Sequence, residues 1–265
     1  MDFSILIAVP TLNSSKELPA LIKSLDLQTF TNWAVLFIDG SNSEFEISWL
    51  KNICKNNKRY SYLRETNTEE GLYGAMNQAF NRVKDNDWLV FWGADDFAFS
   101  ENTIELISRQ IEKDVKNGHY FDLIIFKGNY FSRDQNKFKR VSYFSNKVKH
   151  LNFAQYNRKL FFGASLPHQA TIFSPKVRRR NLKYNKNYKL AADLEYFLNL
   201  STFRDSNVKT YESKIVAIGD TGVSSKKHFM RTYEVVILYV KYFKVLFFIP
   251  FLFRYLRRII SFIEK

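Results

Sequence analysis

Cysteine is almost absent: Cys54 is the only one in 265 residues. That excludes an intrachain disulfide and a thiolate metal cluster. Glycine is sparse, at 9 residues, and its placement excludes two nucleotide-binding signatures. No Gly-x-Gly-x-x-Gly follows the first apolar run, and there is no Walker loop. Gly71-Leu72-Tyr73-Gly74 is too short and misplaced for either. Long apolar runs are missing too. Beyond Arg231 the longest uncharged stretch is Val245–Phe253, interrupted by Pro250, against the ~20 residues a bilayer-spanning helix needs. Met1–Asn13 lacks a basic start, an apolar core and a small-residue cleavage site, so no secretory signal is expected and a cytosolic location is the simplest. Acidic residues are in deficit, 26 against 40 Lys and Arg, leaving a net charge of +14.

What is present is a core. Hydrophobic residues make up 46% of the chain, with 26 Phe and 15 Tyr, which argues against disorder. The length suits one large domain, or one domain with an appendage. The positive charge points to an anionic partner: nucleic acid, an anionic membrane surface or a phosphorylated substrate.

The most informative stretch is Trp88-Leu89-Val90-Phe91-Trp92-Gly93-Ala94-Asp95-Asp96-Phe97. Its apolar run reads as a strand buried on both faces. Gly93 ends the run, and Asp95 and Asp96 follow where open α/β sheets place their ligands, at the carboxyl end of a strand. Two adjacent carboxylates repel each other, and a divalent cation carrying a phosphate-bearing substrate would compensate them. On this stretch alone an Asp-rich turn is an equal alternative. Ser4–Val9 and Trp33–Ile38 are two more apolar runs ending in polar loops, Pro10–Ser15 and Asp39–Ser43. Between them Leu18, Leu21, Ile22 and Leu25 fall at helical spacing, so a βαβ unit of a parallel sheet is predicted. Further helices are predicted over Ile47–Lys55, Tyr73–Lys84 and Glu101–Lys116, with strands at Tyr60–Arg64 and Leu123–Phe126.

Taken in order, Ser4–Asn13, Phe37-Ile38-Asp39-Gly40-Ser41, Gly71–Asn77, Gly93-Ala94-Asp95-Asp96, Pro167-His168-Gln169-Ala170, Ala191–Glu195 and Gly219–Ser224 form a series. The series resembles the family 2 glycosyltransferases of the GT-A fold, over roughly residues 4–225. The resemblance implies an α/β fold with a mostly parallel central sheet flanked by helices. Residues 1–228 would be the transferase domain, with 1–126 its nucleotide-sugar-binding half and 127–228 its acceptor half. It implies that Pro10 and Thr11 line the base and ribose and that Asp39 accepts a hydrogen bond from uracil. Asn13, Glu69 and Asn77 would complete the nucleotide-sugar site. Asp95 would meet the ribose or the metal, and Asp96 the Mg2+ or Mn2+ itself, in a DXD-type site. Two departures stand out: Gly93 replaces the first acidic residue of a full Asp-x-Asp. Glu69 and Gly74 replace the two Asp residues of the family's Asp-x-Gly-Ile-Tyr-Asp pattern, a change that bears on donor-sugar choice.

In the second half, residues 129–157 are basic and aromatic without a clear period. They read as an excursion building the acceptor side, or as solvated surface. His168 precedes an apolar strand; a lone His is commonly structural, whereas the resemblance makes His168 and Gln169 substrate contacts, together with Tyr73. By the same resemblance Asp193 is the general base of an inverting transfer, its alternative being a helix cap. His228 follows a basic loop and is a candidate substrate contact or metal ligand. From residue 229 onward the chain turns apolar and basic. Arg231, Glu234, Lys241 and Lys244 fall near one helical stripe. An amphipathic helix pair lying on the inner face of the cell membrane is expected, or one packed on the domain or on a second subunit in a homo-oligomer.

The resulting expectation is a metal-dependent transferase. It would move sugar from a nucleotide-sugar, a UDP-sugar, to a saccharide or polyprenyl-diphosphate-linked acceptor in surface-polysaccharide synthesis. The rivals are a nucleic-acid or anionic-surface binder and a relative that binds sugar nucleotide without turnover. The basic residues are scattered and no nucleic-acid reading motif is present, so nucleic acid is not an expected partner.

Overall fold

The computed structural model describes residues 3–65, 71–220 and 228–263. The first half alternates strand and helix: β1 (Ile5–Thr11), α1 (Leu18–Asp26), β2 (Trp33–Asp39), α2 (Glu44–Asn56), β3 (Tyr60–Arg64), α3 (Gly71–Phe80) and β4 (Trp88–Phe91). Then come β5 (Phe97–Ala98), α4 (Thr103–Lys116), β6 (Leu123–Ser132), β7 (Lys137–Ser142), β8 (Lys149–Leu151) and α5 (Phe153–Phe161). The remainder is β9 (Thr171–Phe173), α6 (Pro175–Arg179), α7 (Ala192–Leu200), β10 (Val208–Ile218), α8 (His228–Phe243) and α9 (Phe248–Ile263).

One sheet runs β3-β2-β1-β4-β9-β6-β10-β5, with β7 added to β6 and β8 to β10. β1 is parallel to β2 and β4, and β2 to β3. β9 is antiparallel to both β4 and β6, while β10 is parallel to β6. β1, β2, β3, β4, β6 and β10 therefore share one direction, and their carboxyl ends lie on a single edge. β9 runs the other way, so its amino end meets the same edge. The fold thus collects residues near 11, 39, 64, 93–96, 133, 168 and 219 before any side chain is considered.

Each face of the sheet has its own core, because successive strand side chains point to opposite sides. Ile5, Ile7 and Val9 join Leu21 of α1, Leu50 of α2 and Ile107 of α4 on one face. Ala8, Leu36 and Phe91 join Met76 of α3, Phe197 of α7 and Leu238 of α8 on the other.

Two stretches differ from the sequence expectation. α3 stops at Phe80, short of Lys84. The guanidinium of Arg178 takes the carbonyls of Val83, Lys84, Asp85 and Asp87, which fixes this segment as a turn. Residues 129–157 are ordered into the end of β6, β7, β8 and α5, where an excursion without period was expected. β7 reads Lys-Phe-Lys-Arg-Val-Ser and leaves no residue buried, so it carries no apolar alternation to detect. In the charged stripe of α8 only Glu234 faces inward, while Lys241 and the following Lys244 stay exposed. Glu234 is buried and accepts the amides of Lys189 and Leu190, at 2.7 and 2.8 Å. Lys241 meets buried Glu195 at 2.8 Å.

Candidate active site

The edge where the strands end carries two neighbouring groups of side chains. In the first, Asp39 closes β2 and is 1% exposed. Its Oδ1 accepts the Thr11 hydroxyl (3.0 Å) and the Ser41 hydroxyl (2.6 Å). Its Oδ2 accepts Tyr62 OH at 3.3 Å and faces Arg64 at 3.7 Å. Arg64 also donates to the Ser41 carbonyl. Asp39 thus ties the ends of β1, β2 and β3 together. Pro10 lies in β1 opposite Ile38. Asn13 turns in the left-handed region, φ 50°, a conformation Asn tolerates, and its amide donates to Ser41 Oγ at 2.7 Å. Glu69 lies outside the described residues.

Asp96 is the most buried carboxylate of the pair at the end of β4, at 1% exposure, while Asp95 is half-buried. Gly93 N–H donates to Asp96 Oδ2 at 2.6 Å and Gly219 N–H to Oδ1 at 3.0 Å. Burial first, and then the neighbouring Asp95, push the Asp96 carboxyl up to about 8; the two amides and Arg133 pull the other way without prevailing. Gly219 follows β10, and a Cβ there would collide with the carboxylate and carbonyl of Asp95. Arg133, just past β6, donates to the Asp95 carbonyl at 3.4 Å and to the Glu17 carbonyl at 3.1 Å. The pair suits a hard divalent cation chemically: two adjacent oxygen donors whose joint ionisation is disfavoured without one. Among the described residues no third His, Cys, Asp or Glu joins them.

The second group surrounds Asp193, in the first turn of α7, where the helix dipole favours a negative charge. Tyr73 OH donates to Asp193 Oδ1 at 3.4 Å. His168 Nε2 lies 2.7 Å from Tyr184 OH. The His168 ring stacks on Phe91, the last residue of β4, with centroids 5.5 Å apart. Burial lowers the His168 pKa and the nearby Asp193 charge only partly offsets this, so the ring is neutral at pH 7. Burial and then Asp193 raise Tyr73 well above the ordinary tyrosine value, so it stays a donor. Phe91 thus connects the groups: beyond it along the chain lie Asp95 and Asp96, and against its ring lies His168, which feels the Asp193 charge.

Asn77 and Gln169 both have partners within the chain. Both ends of the Asn77 amide are used on the Tyr184 backbone, at 2.9 and 2.8 Å. Asn77 therefore fixes Tyr184 in place. At Gln169 it is the carbonyl that is engaged, accepting Trp92 Nε1 at 2.9 Å. The side chain of His228 lies outside the described residues. Sequence reasoning missed Tyr184, Arg133, Arg64 and the buried Arg254, whose guanidinium donates to Tyr239 OH at 3.3 Å and feels the Asp193 charge. None of these stands in a motif; only packing assembles them.

Residues 6–194 match the sequence profile of the family described as Glycosyl transferase family 2. The chain belongs to glycosyl transferase family 2. Among curated members, a PGL/p-HBAD biosynthesis glycosyltransferase of Mycobacterium bovis is 29% identical over 140 residues, 51% of this chain and 54% of that one. A Mycobacterium tuberculosis protein of the same description matches equally. The chain spans about half the length of these relatives. Among solved structures, Staphylococcus aureus TarS 1–349 in complex with UDP-GlcNAc superposes with a TM-score of 0.69 at 14% identity, covering 90% of this chain and 66% of that one. The mannosyltransferase PcManGT of Pyrobaculum calidifontis, in complex with GDP-Man and Mn2+, gives 0.57 at 12% identity over 89% of this chain and 63% of that one. At such identities the likeness establishes the GT-A fold, in agreement with the sheet order and the parallel β1–β4 half.

Proposed function

We propose that this chain is an inverting glycosyltransferase that moves a sugar from a UDP-sugar to a saccharide or polyprenyl-diphosphate-linked acceptor in cell-surface polysaccharide synthesis. Family membership and the nucleotide-sugar complexes of the solved neighbours support the donor class. The observation that carries the reading is the shared strand edge, where Asp95 and Asp96 follow Phe91 on the chain and His168, within range of the Asp193 charge, stacks on the Phe91 ring.

In this reading residues 1–126 hold the donor and 127–228 the acceptor. The base lies against Pro10 and Thr11, near Asn13. Uracil reaches Asp39 Oδ2 by replacing Tyr62 or Arg64, which now occupy that oxygen. Asp95 would hold the ribose or the cation, and Asp96 the cation. When bound, Mg2+ or Mn2+ supplies charge neutralisation for the departing diphosphate. Asp193 accepts the acceptor hydroxyl proton as that oxygen attacks the anomeric carbon, and the bond to the nucleotide breaks with its electron pair leaving on the diphosphate. Tyr73 orients Asp193 by its hydrogen bond. His168, neutral and locked to Tyr184, shapes the wall beside it; Gln169 adjoins it. Glu195, already paired with Lys241, is not available as the base.

The test is UDP release from a panel of UDP-sugars with saccharide and lipid-linked acceptors, with and without Mn2+. Release that requires both acceptor and cation supports the reading. Donor binding with no turnover on any acceptor marks a sugar-nucleotide-binding relative instead.

A further inference from the structure

α8 and α9 pack on each other, joined by Thr232 and Tyr255 hydroxyls 3.0 Å apart and by Arg254 on Tyr239. The pair is seated firmly. Val235, Leu238 and Tyr239 are buried in the core beside α7. Gly163, at φ +69°, lies so close to the α9 backbone that no side chain fits there, and Arg257 Nε donates to the Phe162 carbonyl at 3.1 Å. The opposite face is apolar and open. On α8 it shows Phe229, Tyr233, Ile237 and Val240, spaced as one helical stripe, with Phe229 at 95% exposure. On the turn and α9 it shows Val245, Phe248, Leu252 and Leu256, a second stripe, with Val245 at 81%.

The charge around this face has one sign. Glu234 is the only acidic residue between His228 and Ile263, and it is buried. Lys241, near the carboxyl end of α8, is exposed although it meets Glu195. Lys244, at the turn, is exposed. We infer that the outward face of α8–α9 docks on an anionic lipid membrane, with its apolar stripes in the headgroup boundary and its basic rim on the lipid phosphates. A second copy of the chain would set like-charged rims against each other on a protein of net charge +14. An anionic surface reverses that sign. Among the described residues no helix is long and apolar enough to cross a membrane, so the mode is in-plane.

The test is co-sedimentation of the full chain with phosphatidylcholine vesicles, with and without phosphatidylglycerol, alongside sedimentation velocity without lipid. Retention on the mixed vesicles alone, weakening with salt, is expected. Val245→Asp combined with Leu252→Asp abolishes it while the melting temperature holds. Lys244→Ala weakens binding about fivefold. Equal retention on both vesicle types, or on neither, overturns the proposal. So does a dimer that the Val245→Asp/Leu252→Asp pair dissolves.

Discussion

Asp96 and Asp193 are held in opposite ways. Asp96 is gripped by backbone: the amides of Gly93 and Gly219 each take one oxygen. Asp193 is positioned by side chains from far along the chain, with Tyr73 on its carboxylate and His168 and Tyr184 behind it. The first arrangement needs only a strand end and two glycines. The second needs α3, α7, α8 and the segment before β9 to pack together. A binding carboxylate can thus be fixed by the fold's edge alone, whereas the proposed base depends on helices that the sheet does not place.

Breaking each carboxylate is the most direct test of that contrast. Asp193→Asn should lower kcat on the order of a hundredfold or more while leaving the donor KM near its original value; steady-state UDP release reads both. Unchanged turnover removes Asp193 as the base.

Asp96→Asn should abolish cation-dependent transfer, and it carries a pH signature. The Asp96 pKa is raised in the folded chain from an ordinary 3.8 to about 8. Its contribution to stability is therefore full below 3.8 and is lost as pH rises towards 8. Thermal melts without cation should fall over that window, and Mn2+ should recover more at pH 8 than at pH 5. Asp96→Asn flattens both trends; a cation effect that survives in this variant refutes the site.

The sequence made the Asp96 side of this comparison readable and hid much of the other. Apolar runs ending in polar loops located β1, β2 and β4, because strands buried on both faces need no alternation. β10 went unread: Val-Lys-Thr-Tyr-Glu-Ser-Lys-Ile-Val-Ala-Ile has its period broken by register shifts around Lys214. Tyr184 sits in a segment with no regular structure, so no spacing rule marks it, although four aromatic rings and Asn77 converge on it. Glu234 stands in the sequence as one more charge on a helical stripe, and nothing in the spacing marks it as the one that is buried under Lys189 and Leu190.

Gly219→Ala sharpens the comparison by disturbing only the Asp95–Asp96 side, through the Asp95 carboxylate and carbonyl and the Gly219 amide on Asp96. Its new methyl displaces the Asp95 carboxylate, so Mn2+ affinity should fall about tenfold by calorimetry while Asp193 keeps its surroundings. Glu234→Gln does the converse. It removes one of two acceptors for the Lys189 and Leu190 amides, which should cost about 1–3 kcal/mol in urea unfolding. It should also lower kcat with donor KM intact, since those amides precede α7. Tyr62→Phe, removing a long 3.3 Å bond to Asp39, should have the smallest effect, below about 1 kcal/mol by the same unfolding assay.

The seating of α8 also decides what can be trimmed. A chain cut before His228 would keep every strand, yet would leave two amides beside Asp193 without an acceptor, Glu195 without its cation, and a hole where Leu238 and Tyr239 had been. Such a fragment should still recognise the nucleotide and fail to release it as product. Any expression strategy that discards this helix pair to gain solubility discards the footing of the reaction with it.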